Sequence, residues 1–327
     1  MSKQQVRARL LDVLLSDIIL PPLPAVDFLV SEEEAFQHNA ALRPILMGAT
    51  CIEATNVARF FDSSYLADGS FESFWTDLKC LVPPYKRFFI EWEKPLIPNA
   101  KRMGMMFLAC PAELAEATAR MIIMIIGEGA RSTPAKIAEF RQDVRCKWIY
   151  LTLDFLEFAH KNDGEHISGL RGPYHIGAIS VAEDGALLNF WMSHASANLP
   201  KDESMQVAGA SLVAWTTLAM LNCTNIASVA HNVPDAFQKA RGKSGKRPLV
   251  SYHTIHVDLD KTPRQIAAPS LPGDGTTPRL HKKRGHMKDY RRGKGLFGRY
   301  KGIWFWGDML AGSEETGVVV SDYEVMP

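Results

Sequence analysis

Between Pro278 and Lys301 the chain reads PRLHKKRGHMKDYRRGKGLFGRYK, with ten Lys or Arg, two His and one acid, Asp289. Tyr290, Phe297 and Tyr300 are interleaved with these charges, and Trp304 and Trp306 follow just beyond. Cations that neutralise phosphates, set beside rings that stack on bases, are the chemistry of single-strand or RNA contact. Lys282, Lys283, Arg284, Lys288, Arg291, Arg292 and Lys294 are therefore the candidate phosphate contacts, with Tyr290 and Trp304 as candidate stacking groups. The competing reading is a solvated basic loop docked on an acidic face of the same protein. A second cluster, Lys239, Arg241, Lys243, Lys246 and Arg247, reads as the end of the preceding uncharged helix. It either extends the same surface or complements the helix dipole.

Acid/base chemistry has three candidates: His256, His281 and His286. In SYHTIHVDLD the period of a strand puts Tyr252, Thr254, His256, Asp258 and Asp260 on one face, where an aspartate could orient an imidazole as a base. His281 and His286 are five residues apart, on opposite faces of a regular strand, so no shared metal is assigned to them. Glu91 and Glu93 in IEWE form a same-face pair that could hold a divalent cation in an enzyme. For each of these the plain alternative is a solvated strand face.

Two literal matches fail on context. Gly293-Lys-Gly295-x-x-Gly298 precedes a strand-like run rather than a helix, and Gly242-Lys243-Ser244 lacks the first glycine of a P-loop. No G-x-S-x-G, H-E-x-x-H or cysteine nucleophile signature is present, and no cofactor is identified.

The run His281-Lys282-Lys283-Arg284-Gly285-His286, with Lys288, the Gly293-Lys294 pair and a closing Gly317-Val-Val-Val-Ser-Asp322-Tyr323, resembles the C-terminal signature of an uncharacterised family of phage and prophage proteins. PPYKRFFIEWE is similar to that family's mid-chain strand, and KARGKSGKRPLVSYHTIHVDL to its basic turn into a strand. The chain departs from the pattern with lysine at 283 and 288, and with Ile303-Trp-Phe-Trp306 in place of a W-V-x-P run. The resemblance implies phage or bacterial origin and action in the cytoplasm of a bacterial host. It implies no mechanism.

These groups need a scaffold, and 327 residues of 46% hydrophobic content can build one large domain or two ordinary ones. The net charge of +1 hides a regional asymmetry: residues 237–301 carry 17 Lys or Arg against four Asp, so the rest of the chain sums to −12. Such segregation points to an anionic partner, with DNA or RNA first and a protein partner or assembly role as the alternative. An enzyme acting on nucleic acid or nucleotides is the other reading. Five scattered cysteines without a C-x-x-C pair fit a reducing compartment. The uncharged stretch from Met205 to Pro234 is broken by Gly209, Ser211, Thr216 and Thr217, which makes it a buried core helix and not a membrane span.

Helices are expected over Gln4–Leu20, Ala112–Ile126 and Pro134–His160. Strands are expected over Arg87–Glu93, Met103–Ala109, Leu249–Leu259, Ile303–Trp306 and Gly317–Val325, with Tyr174–Val181 and Leu187–Ser193 as a hairpin. A Pro-rich connector runs from Lys261 to Pro278. The expected fold is α+β: a mostly antiparallel sheet with helices packed on it, a helix-rich N-terminal half and a strand-rich C-terminal half. A division into 1–162 and 163–327, with a seam near Asn162-Asp163-Gly164, and a single compact domain are both admitted.

Overall fold

A computed structural model describes residues 8–15, 42–59, 61, 77–95, 97, 100–126, 132–158, 169–173, 175–194, 207, 209–257, 279–283, 286–306, 309–311 and 313–318. The Pro-rich connector, Arg284 and most of the N-terminal helix expected from the sequence lie outside them.

The organising element is a mixed sheet. In chain order its strands are β1 (Thr50–Glu53), β2 (Arg87–Glu93), β3 (Ala100–Pro111), β4 (Cys146–Phe158), β5 (Gly169–Arg171), β6 (His175–Ala182), β7 (Leu187–His194), β8 (Ile226–His231) and β9 (Tyr252–Val257). Across the sheet they run β7-β6-β4-β3-β2-β1-β9-β8, with β5 paired to β4. β1 is parallel to both β2 and β9, so the interior of one half is parallel while the meander from β2 to β7 and the β8–β9 edge are antiparallel.

This corrects the expected fold, which was a mostly antiparallel sheet below a helix-rich N-terminal half. The two longest described strands, β3 and β4, lie in that first half, and the short central strand β1 carries the parallel pairings. Two segments account for the difference. Residues 146–158, expected to continue a long helix, form β4 instead, because Phe140 ends a helix and the turn at 141–145 reverses the chain. Both faces of β4 are buried, Ile149, Leu151 and Leu153 on one and Tyr150, Thr152 and Asp154 on the other. A strand buried on both faces gives a continuous apolar run that periodicity cannot tell from a buried helix. TCIE, the whole of β1, is too short and too plain to announce a strand at all.

Helices cover both faces of the sheet. α1 (Leu10–Leu15), α3 (Ala112–Ile126) and α4 (Thr133–Phe140) pack with Leu42, Ile45 and Leu46 over Phe89, Met106, Leu151, Leu153 and Phe155. α2 (Thr55–Ala58) and α5 (Leu212–Met220) cover the other face over Phe88, Trp92, Phe107 and Tyr150. Trp215 of α5 meets Phe107 edge-on at 4.9 Å and Tyr150 at 6.2 Å, the tilted packing that ring quadrupoles favour. α5 is the uncharged core helix expected from the sequence, but it ends at Met220, and β8 then occupies Ile226–His231. The second basic cluster does not cap α5: Lys239, Arg241 and Lys243 lie on a separate surface helix, α6 (Asp235–Lys243), and Lys246 and Arg247 follow it. No described helix is long and apolar enough to cross a membrane.

The C-terminal segment adds two small sheets. β10 (Arg279–Lys283) pairs with β13 (Met309–Ala311) and β14 (Ser313–Val318), and β11 (His286–Asp289) pairs with β12 (Ile303–Trp306) as a hairpin. Met287, Ile303 and Phe305 of that hairpin join the core below α5.

Candidate functional site

The basic segment is presented by the β11–β12 hairpin, and its fixing points explain which side chains remain available. Phe305 donates its N–H to the Asn225 Oδ1 at 2.9 Å and accepts from Nδ2 at 2.8 Å, so one buried asparagine mimics a strand neighbour. Ile303 accepts from the Thr224 N–H at 2.7 Å. Gly302, at φ +125°, lies against the Thr224 hydroxyl where a Cβ would collide, so this close approach requires glycine. Arg291 completes the anchor: its guanidinium forks onto the Asp289 carboxylate at 2.7–3.1 Å and also donates to the carbonyls of Asp184 and Lys79. That hydrogen bonding, ahead of the guanidinium charge, holds the Asp289 carboxyl below its ordinary range.

The loop beyond this anchor projects its side chains outward. A tight turn closes with Leu296 and Tyr300 exchanging backbone bonds of 2.8 and 2.9 Å, and only Leu296 is buried. Phe297 sits at the tip in the left-handed region, φ +50°, and is 47% exposed. A bulky residue in that conformation is uncommon, and here it holds a phenyl ring in solvent. Tyr300 is 37% exposed, with the Arg299 guanidinium 5.3 Å from its ring centre. Lys288, Arg292 and Lys294 are exposed on the same hairpin. Arg292 lies 3.9 Å from Asp184 with its side chain 96% exposed, a contact of little energetic consequence. Among the described residues no carboxylate pairs with Lys288, Lys294 or Arg299.

The sequence-based candidates therefore separate. Lys288, Arg292 and Lys294 are held outward, whereas Arg291 is engaged in anchoring. Tyr290 is half-buried and bonds Gly302 through its backbone. Trp304 is 3% exposed, edge-on to Tyr300, so it has no open face for a base. The rings that do, Phe297 and Tyr300, belong to the interleaved aromatics, and residue type does not distinguish them because exposure depends on the turn. Lys282, Lys283 and His281 lie on β10, in a different small sheet from His286 on β11, and Arg284 is outside the described residues.

His256 finds a partner that the sequence did not reveal. Thr254 Oγ1 lies 2.8 Å from His256 Nε2 and 2.9 Å from Nε2 of His231, which comes from β8. The register that pairs His231 with Tyr252 and Val229 with Thr254 puts the two imidazoles on either side of one hydroxyl. The His231 ring is fixed by stacking on Tyr252, centroids 4.7 Å apart, and the Arg9 guanidinium sits 3.4 Å from the Tyr252 ring centre. Because β8 was read as part of a helix, no spacing rule could have found His231. His253, on the opposite face of β9, bonds Ser228 at 3.1 Å and stays apart from this group.

The Glu91/Glu93 pair is not an open site. Glu91 is 2% exposed and its carboxylate accepts from the Leu11 N–H at 3.2 Å and faces Arg9 at 3.9 Å. Burial raises the Glu91 carboxyl to about 7, against the lowering effects of the Leu11 N–H, Arg9 and Arg102. Nearby, Arg102 is matched by Glu157 and by the Ala8 carbonyl. A second buried pair joins the His175 Nδ1 to Asp154 at 2.7 Å, both side chains 3% exposed. Among the described residues, no group of three or more His, Cys, Asp or Glu is placed to hold a metal ion. Comparison with protein-family models, with curated proteins and with solved structures finds no match.

Proposed function

We propose that this chain binds single-stranded nucleic acid, DNA or RNA, through the tip of the β11–β12 hairpin. One observation carries the reading: two solvent-facing rings, Phe297 and Tyr300, stand among exposed cations on a loop whose anchoring is done by other residues. A solvated basic loop gains nothing from an exposed phenyl ring in a left-handed conformation. A strand of nucleic acid gains stacking from the rings and phosphate neutralisation from Lys288, Arg292, Lys294 and Arg299. The resemblance to phage and prophage proteins extends this reading to a phage-type protein acting in the cytoplasm of a bacterial host.

The test is fluorescence anisotropy with a labelled single strand and the matching duplex at low salt. Replacing Phe297 and Tyr300 together by Ala should cost about 1–3 kcal/mol per stacked base on the single strand and little on the duplex. If the unmodified protein binds neither, the reading fails. Binding to an acidic protein partner or to a second copy, with no affinity for nucleic acid, would move the hairpin to an assembly role. The hydrogen-bonded group at Thr254 favours a second reading, an enzyme acting on the same class of ligand.

A further inference from the structure

We infer that His231, Thr254 and His256 form a metal-independent acid/base site able to cleave RNA by internal transfer. Two hydrogen bonds meet at Thr254 Oγ1, and the hydroxyl supplies at most one of the two hydrogens. At least one imidazole must therefore present an N–H at Nε2, while the other can present a lone pair. The bridge tolerates one basic ring and one proton-donating ring side by side, the complementary states that general base and general acid require. The two bonds laid end to end put the Nε2 atoms no more than 5.7 Å apart, a spacing that suits the entering and leaving oxygens of one phosphorus centre.

Position supports the assignment. His256 is exposed at the carboxyl-terminal end of β9, one of the three mutually parallel strands, and is open to a ligand. His231 is half-buried, its orientation held by Tyr252. The Arg9 guanidinium, 3.4 Å from the Tyr252 ring centre, places a cation on that side of the group. The basic helix α6 starts four residues after His231. An anionic ester fits these surroundings better than a neutral one.

In the step itself, the ester takes the place of the Thr254 hydroxyl at both rings, and the Nε2 lone pair of one ring takes the proton of a ribose 2′-hydroxyl. The 2′-oxygen bonds to phosphorus, the bond from phosphorus to the 5′-oxygen breaks, and the departing oxygen takes a proton from the other ring. The products are a 2′,3′-cyclic phosphate and a free 5′-hydroxyl, with no metal or second reactant consumed. The rings finish with their protonation states exchanged. Once the product has left, the Thr254 hydroxyl bonds both rings again and returns them by accepting one proton and passing on its own. The choice of RNA rests on the nucleic-acid reading of the hairpin, whereas the acid/base chemistry does not.

The experiment uses uridylyl-(3′→5′)-uridine in EDTA, a substrate too small to need the hairpin and one whose departing alkoxide needs a proton. The expected result is cyclic phosphate formation by the full chain, reduced about 100-fold in His231→Ala and in His256→Ala and unchanged in His253→Ala. Thr254→Ser should retain turnover and Thr254→Val should lose it. No product from the unmodified protein, or undiminished turnover in either His231→Ala or His256→Ala, overturns the inference. Oligonucleotide affinity is measured alongside: turnover of the small ester without strand binding sinks the hairpin reading alone, and strand binding without turnover sinks this one alone.

Discussion

Charged groups are used in opposite ways at the α1 side of the sheet and at the β11–β12 hairpin. Beneath α1, Glu91 is almost fully buried against the Leu11 N–H and Arg9, and Arg102 is satisfied by Glu157 and the Ala8 carbonyl. On the hairpin, Lys288, Lys294 and Arg299 have no carboxylate among the described residues, and the same hairpin exposes Phe297 and Tyr300. Desolvated charge is costly unless matched, so the first region commits its ions to folding. The second keeps them in water, where they cost little and stay available to a polyanion. Arg291 and Arg292 draw the contrast between two adjacent residues of one type: one is held by the Asp289 carboxylate and two backbone carbonyls, and the other is 96% exposed.

The largest effect is expected where a buried pair is broken. Asp154→Ala should cost on the order of 3–5 kcal/mol in urea unfolding, because it strips both the ring and the backbone N–H of His175 of their acceptor. A loss below about 1 kcal/mol would show that the pair is not structural. Burial alone would lower the His175 pKa, but the Asp154 charge and hydrogen bond raise it above the ordinary value. Its contribution is therefore full below the unfolded-state pKa and fades as pH rises through the higher folded value.

Glu91 sharpens the comparison through pH. Its folded carboxyl titrates at about 7 against an ordinary 4.5, so between these values the folded state holds a proton that the unfolded state has lost. Stability should fall by roughly 3 kcal/mol as pH rises from about 4.5 to about 7 and flatten above that. Glu91→Gln should remove that slope. An unchanged slope in the variant would assign it to other groups.

Smaller again is the difference between the paired arginines. Arg291→Ala should destabilise by about 1–2 kcal/mol, by freeing Asp289 and loosening the hairpin from the turn at Asp184. Arg292→Ala should change stability by less than about 0.5 kcal/mol and weaken only the binding of anions. If the two variants exchanged these behaviours, the division between anchoring and presenting residues would be wrong.

Much of this was readable from residue types. Arg87–Glu93, Ala112–Ile126 and Ile303–Trp306 lie where pattern placed them, since each has a clear period or a dense aromatic run. The parallel centre was not readable, because β1 is four residues long and β4 is apolar on both faces. The basic, ring-bearing character of 278–301 was plain, yet which ring faces water depends on the φ of Phe297 and on the glycines around it. His256 was a visible candidate, while His231 entered only through strand register, which no local spacing encodes.

The central claim is that the hairpin cations meet phosphates, and counterion release tests it directly. A labelled single strand should bind the unmodified protein with an affinity that falls steeply with salt. Replacing Lys288, Arg292, Lys294 and Arg299 by Ala should make the slope of log K against log salt shallower by about 3, near 0.7 for each phosphate that is no longer neutralised. A slope identical in the two proteins, with binding intact, would contradict the account.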